Sequence, residues 1–353
     1  MVKKKKTLPD NLQEIIDSKD MELFKEVFDK CEISATNRGK TTSNVFTYKN
    51  LTIEHLCFLI ERGIDLNADS GFGHTPATFL ADDINLLKCL IEHGADIDYD
   101  IPMSYGSRGN ALFCCASSYR VQAVENLISC GANPEPRGGS YNNTALDEAL
   151  QGCRGAQIVS MSLIANMLIS AGAKPSNKSS EFVKKIGEDF EFRRSDFNPK
   201  LVDEVSNALD DLYRLFQVEP VPRRMVYDGK TAITVNGDTW QKQFDELRKL
   251  LVPGSGHATT VQGEVIRIIG RITYEILDNG GINWDDEYRK LVDALPEYFE
   301  MFSSEITEKA CSLAKRISSR SDEKLLYSLT ELAVKWVLDN NQPIPLNKVN
   351  YKR

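Results

Sequence analysis

The sequence predicts a mainly α protein, a helical solenoid of short repeated pairs followed by an α-helical domain with one small β-hairpin. Three observations predict it. First, an apolar helical phrase occurs twice in succession, with Leu56, Leu59 and Ile60 in one copy and Leu87, Leu90 and Ile91 in the next. The copies stop at Gly63 and Gly94, where a helix end takes a left-handed residue. Second, two independent markers keep a common period. The closing glycine recurs at Gly63, Gly94, Gly131 and Gly172, and the opening turn recurs at Asn44, Thr75, Asn110 and Thr144. Third, the pattern stops after Pro175 while helical periodicity continues. A unit of this size cannot bury its apolar face alone, so it needs like neighbours on either side.

Composition narrows the function classes. With 353 residues the chain has room for two or three domains. The net charge of -8 argues against general affinity for nucleic acid or for an anionic membrane surface. The basic run Lys3 to Lys6 reads as part of a solvated tail over residues 1–7. No apolar run follows Met1 as a signal peptide would require, and no stretch is long and apolar enough to span a bilayer. The 8 cysteines lie mostly inside apolar helical phrases and form no C-x-x-C pair, so buried thiols in a reducing cytoplasm are expected, with no metal site and no cofactor.

Residues 8–176 divide into about five units. A cap covers residues 8–34, with Asp10 and Asp20 as expected helix N-caps and Cys31 in the place of the closing glycine. Units then open near Asn44, Thr75, Asn110 and Thr144. Thr75 is expected to bond a nearby backbone N–H, and Pro76 suits the first helical position because its missing donor would lack a partner there. The small residues Ala77, Ala81, Ala111, Ala116, Ala145 and Ala149 let neighbouring short helices approach closely. The phrases TPATFLA, NALFCCA and TALDEAL open the units, and LIERGIDLN, LIEHGADID, LISCGANPE and LISAGAKPS close them. With these phrases, residues 8–176 resemble the ankyrin repeat family. The units opening at Asn44 and Asn110 depart from its Gly-x-Thr-Pro turn, and an insertion falls at Gly152 to Gln157.

The resemblance implies a surface for a protein partner, made of projecting turns and the inner face of the first helices. The longest projecting turn, Asp98 to Asn110, gathers residue types enriched at interfaces: Tyr99, Met103, Tyr105 and Arg108. Phe72, Arg137 and Tyr141 flank them on neighbouring turns and complete the expected patch. The alternative is that these aromatic residues fold down on the stack as a small core of their own.

Residues 177–339 read as a separate helical domain and 340–353 as a polar tail. Phe182, Ile186 and Phe190 form one stripe, suited to sealing the last repeat. Asn198-Pro199 opens a helix with Leu201, Val205, Leu209, Leu212 and Leu215 on its buried side. Pro220 and Pro222 forbid a helix, and Asp228-Gly229-Lys230 between Met225-Val226-Tyr227 and the β-prone stretch Thr231 to Val235 signals a hairpin. Asp238 is expected to cap the helix through Leu251. The Gly-rich stretch from Pro253 then opens another helix, with Thr259 and Gln262 as an expected capping box. A P-loop would require a lysine that is absent after Gly256 and Gly263. Glu264, Arg267, Arg271 and Glu275 share one face of this helix. Exposed, that face is an ion-pair ladder; buried, it is a candidate ligand pocket formed by His257, Glu264, Arg267 and Arg271.

The expected function is therefore contact: an intracellular binding protein acting as an inhibitor, immunity or adaptor protein. The alternative is an enzyme or a nucleotide- or anion-sensing module in the C-terminal domain, aimed by the repeats. A third reading is self-association through that domain.

Overall fold

In the computed structural model, the residues described are 3–38, 43–101, 109–225, 227–301 and 306–352. Contacts between Cα atoms divide the chain into two units, residues 1–189 with 199–221, and residues 190–198 with 222–353.

The first unit is a serial array. Its first-row helices are α1 (Leu12–Ser18), a 3-10 turn (Val45–Thr47), α4 (Pro76–Leu80), α6 (Ala111–Ser117), α8 (Ala145–Gly152) and α10 (Asn177–Arg193). Each is followed by a second-row partner: α2 (Met21–Lys30), α3 (Ile53–Glu61), α5 (Ile84–Glu92), α7 (Val121–Ser129), α9 (Gln157–Ser170) and α11 (Val202–Phe216). Neighbours pack in order along the second row, from α2 on α3 to α9 on α11, and in the first row the 3-10 turn, α4, α6 and α8 pack likewise. The leucines that set the sequence period form the seam, for Leu59, Leu90, Leu127, Leu168 and Leu212 are completely buried. Each contributes about 1.5–3 kcal/mol by leaving water.

One closing device ends the second-row helices from α3 to α11. The amides of Gly63, Gly94, Gly131 and Gly172 donate to Ile60, Ile91, Ile128 and Ile169, and the next amides reach one residue further back, as in Ala95 to Leu90 at 3.2 Å. This pair of bonds is the Schellman arrangement, and all four glycines have positive φ. A fifth copy closes α11, where Gln217 at φ 53 donates to Arg214 and Val218 donates to Tyr213 at 2.9 Å. The array therefore runs beyond residue 176, and α10–α11 is a sixth pair, not the opening of a separate helical domain. Ser179 on α10 fixes this pair to the array, donating to the Asp147 carboxylate on α8 at 2.6 Å, with both residues buried.

A second periodic bond joins the bases of the projecting turns. Asn67 Oδ1 accepts from the Asp96 amide at 2.9 Å, Asp98 Oδ1 from the Asn133 amide at 3.0 Å, and Glu135 Oε1 from the Lys174 amide at 2.8 Å. In each case the residue four places after one closing glycine holds the backbone two places after the next.

Several local expectations are corrected in this unit. Residues 5–7 are not tail, because β1 (Lys5–Thr7) pairs in parallel with β2 (Cys31–Thr36) and Leu8 donates to Thr36 O at 2.9 Å. Cys31 leaves α2 in extended conformation instead of a left-handed turn, so the first pair closes into a strand. Asp20 caps α2, but Asp10 caps nothing; Asn11 precedes α1 with no side-chain bond. The Thr75 hydroxyl bonds no backbone N–H and lies 3.5 Å from the Thr78 hydroxyl. Asn44 and Asn110, which depart from Thr, do cap their helices, accepting from the amides of Phe46 and Phe113 at 3.0 Å.

The second unit is built around α13 (Val261–Thr273), which packs against α12 (Trp240–Leu251), α14 (Asp286–Phe299) and α16 (Glu323–Asp339); α15 (Thr307–Ala314) bridges α14 and α16. Val265, Ile266, Ile268, Ile269 and Ile272 are buried on one side of α13 and Gly263, Glu264 and Arg267 on the other, so burial runs around nearly the whole circumference of this central helix. A π-turn, Tyr274–Asp278, continues it. Where a hairpin was expected, the turn forms without strands among the described residues. The Asp228 carboxylate accepts from the amides of Lys230 and Thr231, while Ile233 donates to Asn341 O at 2.8 Å instead of to a hairpin partner. Thr239, not Asp238, caps α12, and Thr260, not Thr259, caps α13. Gln262 is occupied elsewhere, holding Asn340 O, Gln342 O and the Ile344 amide. Residues 340–352 are thus a strap on this unit and not a free polar tail.

Candidate functional site

The turn carrying Phe72 is built to hold a side chain outward. The Asp69 carboxylate accepts from the amides of Gly71 at 2.8 Å and Gly73 at 3.0 Å, and Ser70 donates to His74 O at 2.8 Å. Phe72 sits at the tip with φ 59, a conformation unfavourable for an aromatic residue, and its ring is 51% exposed. The local bonds tie the backbone down while the ring meets solvent. Two units further on, β3 (Arg137–Gly138) and β4 (Asn143–Thr144) form a second projecting hairpin. Tyr141 at its tip is 76% exposed, and Arg137 is exposed and donates to Asn142 O at 3.2 Å. Tyr99, 38% exposed, stands on the intervening turn, whose base Asp98 fixes. The structure therefore places Phe72, Tyr99, Arg137 and Tyr141 on successive turns of one array. Met103, Tyr105 and Arg108 lie outside the described residues.

The charged face of α13 divides. Glu264, Arg267 and Glu275 are buried and Arg271 is exposed, so the face is not a surface ladder. Glu264 is the centre of a closed cluster. It receives two parallel bonds from Arg267, at 2.6 and 2.8 Å, the Ala258 amide at 2.9 Å and the Tyr351 hydroxyl at 2.8 Å. His257 Nδ1 lies 3.2 Å from both Glu264 Oε1 and Arg267 Nη2, and its ring meets Tyr351 edge-on. Tyr298 and Tyr351 share a hydroxyl contact of 2.7 Å. Burial pushes the Glu264 carboxyl pKa up, but the Arg267 bonds and charge outweigh it, together with the Ala258 amide and the Tyr351 hydroxyl, and hold it below the ordinary value. Burial, the Tyr298 contact and the Glu264 charge raise the Tyr351 phenol. An ionised carboxylate with its oxygens so engaged is a poor general base, and the cluster works as a latch for the strap.

Glu275 is a second buried carboxylate. Asn279 Nδ2 at 2.9 Å and the Asn283 amide at 2.5 Å donate to it. Burial raises its pKa, and these donors more than offset that, leaving it below the ordinary value.

Next to this latch, α13 borders a groove of about 610 Å³, lined by Arg267 and also by Arg193, Arg248, Arg271 and the loop Gly254–Gly256. Of the four residues expected to form a ligand pocket, His257, Glu264 and Arg267 come together in the latch, while Arg267 and Arg271 line the groove. Tyr351 and Arg193 were not visible as members of either. Tyr351 lies 87 residues from Glu264 in a polar segment with no periodic signal, and Arg193 ends a helix assigned to sealing the repeats.

No family model matches the chain, and no curated protein matches it. Among solved structures it is similar to the crystal structure of an ankyrin repeat domain from Acinetobacter baumannii AYE, with 24% identity and a TM-score of 0.39, over 57% of this chain and 96% of that one. The serial array rests on its own packing and closing bonds. Its architecture is a mainly α solenoid.

Proposed function

We propose that this is an intracellular interaction protein that binds a protein partner through the tips of its projecting turns, acting as an inhibitor, immunity or adaptor protein. The observation that carries the reading is the pair of aromatic residues, Phe72 and Tyr141, held exposed at rigid tips two units apart. An exposed aromatic side chain on a braced turn keeps its contact area and loses little entropy on binding. Tyr99 and Arg137 extend the same row, with residue types enriched at interfaces. A reducing cytoplasm is the compartment expected for its free, mostly buried thiols. Among the described residues, no helix is long and apolar enough to cross a membrane.

The test replaces Phe72 and Tyr141 in turn by a photo-crosslinking amino acid in the native host, with a third probe at exposed Leu163 on α9. The reading expects one shared adduct from the two tip positions and a different result, or none, from Leu163. It also expects the double variant F72A/Y141A to bind that partner at least about tenfold more weakly, since each lost aromatic anchor costs about 1–2 kcal/mol or more. A partner captured equally from all three positions, or bound equally by the double variant, would defeat it.

A further inference from the structure

We propose that the groove beside α13 is a binding site for a small anion of the phosphate class. The groove lies wholly within residues 190–198 and 222–353, and its volume of about 610 Å³ falls in the range of small-molecule sites. Three exposed arginines from three elements line it, Arg193 at the end of α10, Arg248 on α12 and Arg271 on α13, together with Arg267, whose charge is paired with Glu264. Among the described residues two carboxylates, Asp245 and Asp278, line it, and both are exposed. Three exposed arginines gathered on one groove in a chain of net charge -8 run against its overall electrostatics.

The geometry favours oxygen-rich anions. Guanidinium presents a planar fork of donors matched to phosphate oxygens. Arg267 is held rigid by its paired bonds to Glu264, which fix one arginine of the wall while taking up its Nε and Nη2 donors. Arg248 lies over the Phe192 ring at 5.1 Å, which steadies a second without consuming its donors. The loop Gly254–Gly256 supplies backbone donors. Among the described residues, the amides of Gly254, Ser255 and Gly256 donate to no protein acceptor. A Cβ on Gly254 would lie 3.1 Å from both Arg193 Cα and Phe192 O, with the exposed Asp196 carboxylate beside it, so the backbone of α10 approaches closely here. That close approach fixes the loop at the edge of the groove. A π-turn, a feature frequent at functional sites, forms part of the wall through Tyr274 and Asp278.

The experiment is calorimetric titration of the full chain with sodium pyrophosphate at constant ionic strength, repeated with R248A, R271A and R289A. Arg248 and Arg271 are exposed, so the first two variants keep the fold, which circular dichroism verifies. Arg289 is an exposed arginine on α14, paired with Asp286 and outside the groove. The proposal expects saturable binding at one site with a dissociation constant below about 1 mM. It further expects R248A and R271A to weaken binding at least about fivefold and R289A to leave it unchanged. Absence of saturation, unchanged affinity in R248A and R271A, or equal weakening in R289A would overturn it. Parallel titrations with ATP and with glucose 6-phosphate distinguish a nucleotide from a phosphosugar as the source of the anion.

Discussion

Replacing Gln217 by Gly should stabilise the protein, whereas replacing Gly94 by Ala should destabilise it, although the two residues perform the same task. Both close a second-row helix with a left-handed backbone, at φ 53 for Gln217 and φ 99 for Gly94. A side chain in this region costs about 1–2 kcal/mol relative to the right-handed region, a cost Gly escapes. Among the described residues no atom lies within 4 Å of a Cβ built on Gly94, so G94A meets conformational strain without a clash. Its expected cost is about 1 kcal/mol. At Gln217 the change runs the other way, but Gly also gains entropy in the unfolded chain, so the net benefit is smaller, about 0.5 kcal/mol. Urea unfolding of the variants, with hydrogen exchange of peptides spanning residues 209–220 for Q217G and residues 86–97 for G94A, reads each effect at the helix end concerned. A destabilised Q217G, or loss of Val218 amide protection in it, would refute the assignment of α10–α11 as a closing sixth pair.

Other predictions follow from the bonds described above. Asp98→Ala removes the acceptor for the Asn133 amide and for Asn110 Nδ2, and should cost about 1.5–3 kcal/mol in thermal or urea unfolding, with Asp98→Asn costing less. Glu264→Gln strands the buried Arg267 charge and should cost about 3–5 kcal/mol, while Tyr351→Phe, which deletes one bond to that carboxylate, should cost about 1–3 kcal/mol. Acid should weaken the protein in two windows. Burial depresses the His55 pKa from its ordinary 6.5, so below about pH 6.5 the unfolded chain takes up a proton that the folded chain refuses, and stability falls until the folded value is passed. His55→Gln, which preserves the cap on Thr52, should remove that slope in pH-dependent unfolding. Glu264, also depressed, contributes stability that is present above about pH 4.5 and lost as pH falls through its folded value, and Glu264→Gln should remove this lower window.

The array was legible because each unit writes its own ending in the chain. A left-handed helix end favours Gly so strongly that Gly63, Gly94, Gly131 and Gly172 announce it. The sixth pair was missed because Gln217 fills the same conformation without the residue that signals it. The turn at Asp228 was readable from local chemistry, but the strands on either side were not, since Ile233 takes a partner more than a hundred residues away. Capping residues near Thr259 and Asp238 were displaced by one position because adjacent residues of equal capping ability leave the choice to tertiary packing. The face of α13 was legible as a set of four charges at helical spacing, but which of them is buried depends on residues 340–352, and nothing local to α13 encodes that strap.

Hydrogen exchange on the intact chain tests the central claim most directly. If one solenoid continues to residue 217, the amides of Ile64, Ala95, Ala132, Ala173 and Val218, which make equivalent closing bonds, should all be protected, and α11 should exchange on the timescale of α9. Rapid exchange of Val218 and α11 beside a protected α9 would contradict it.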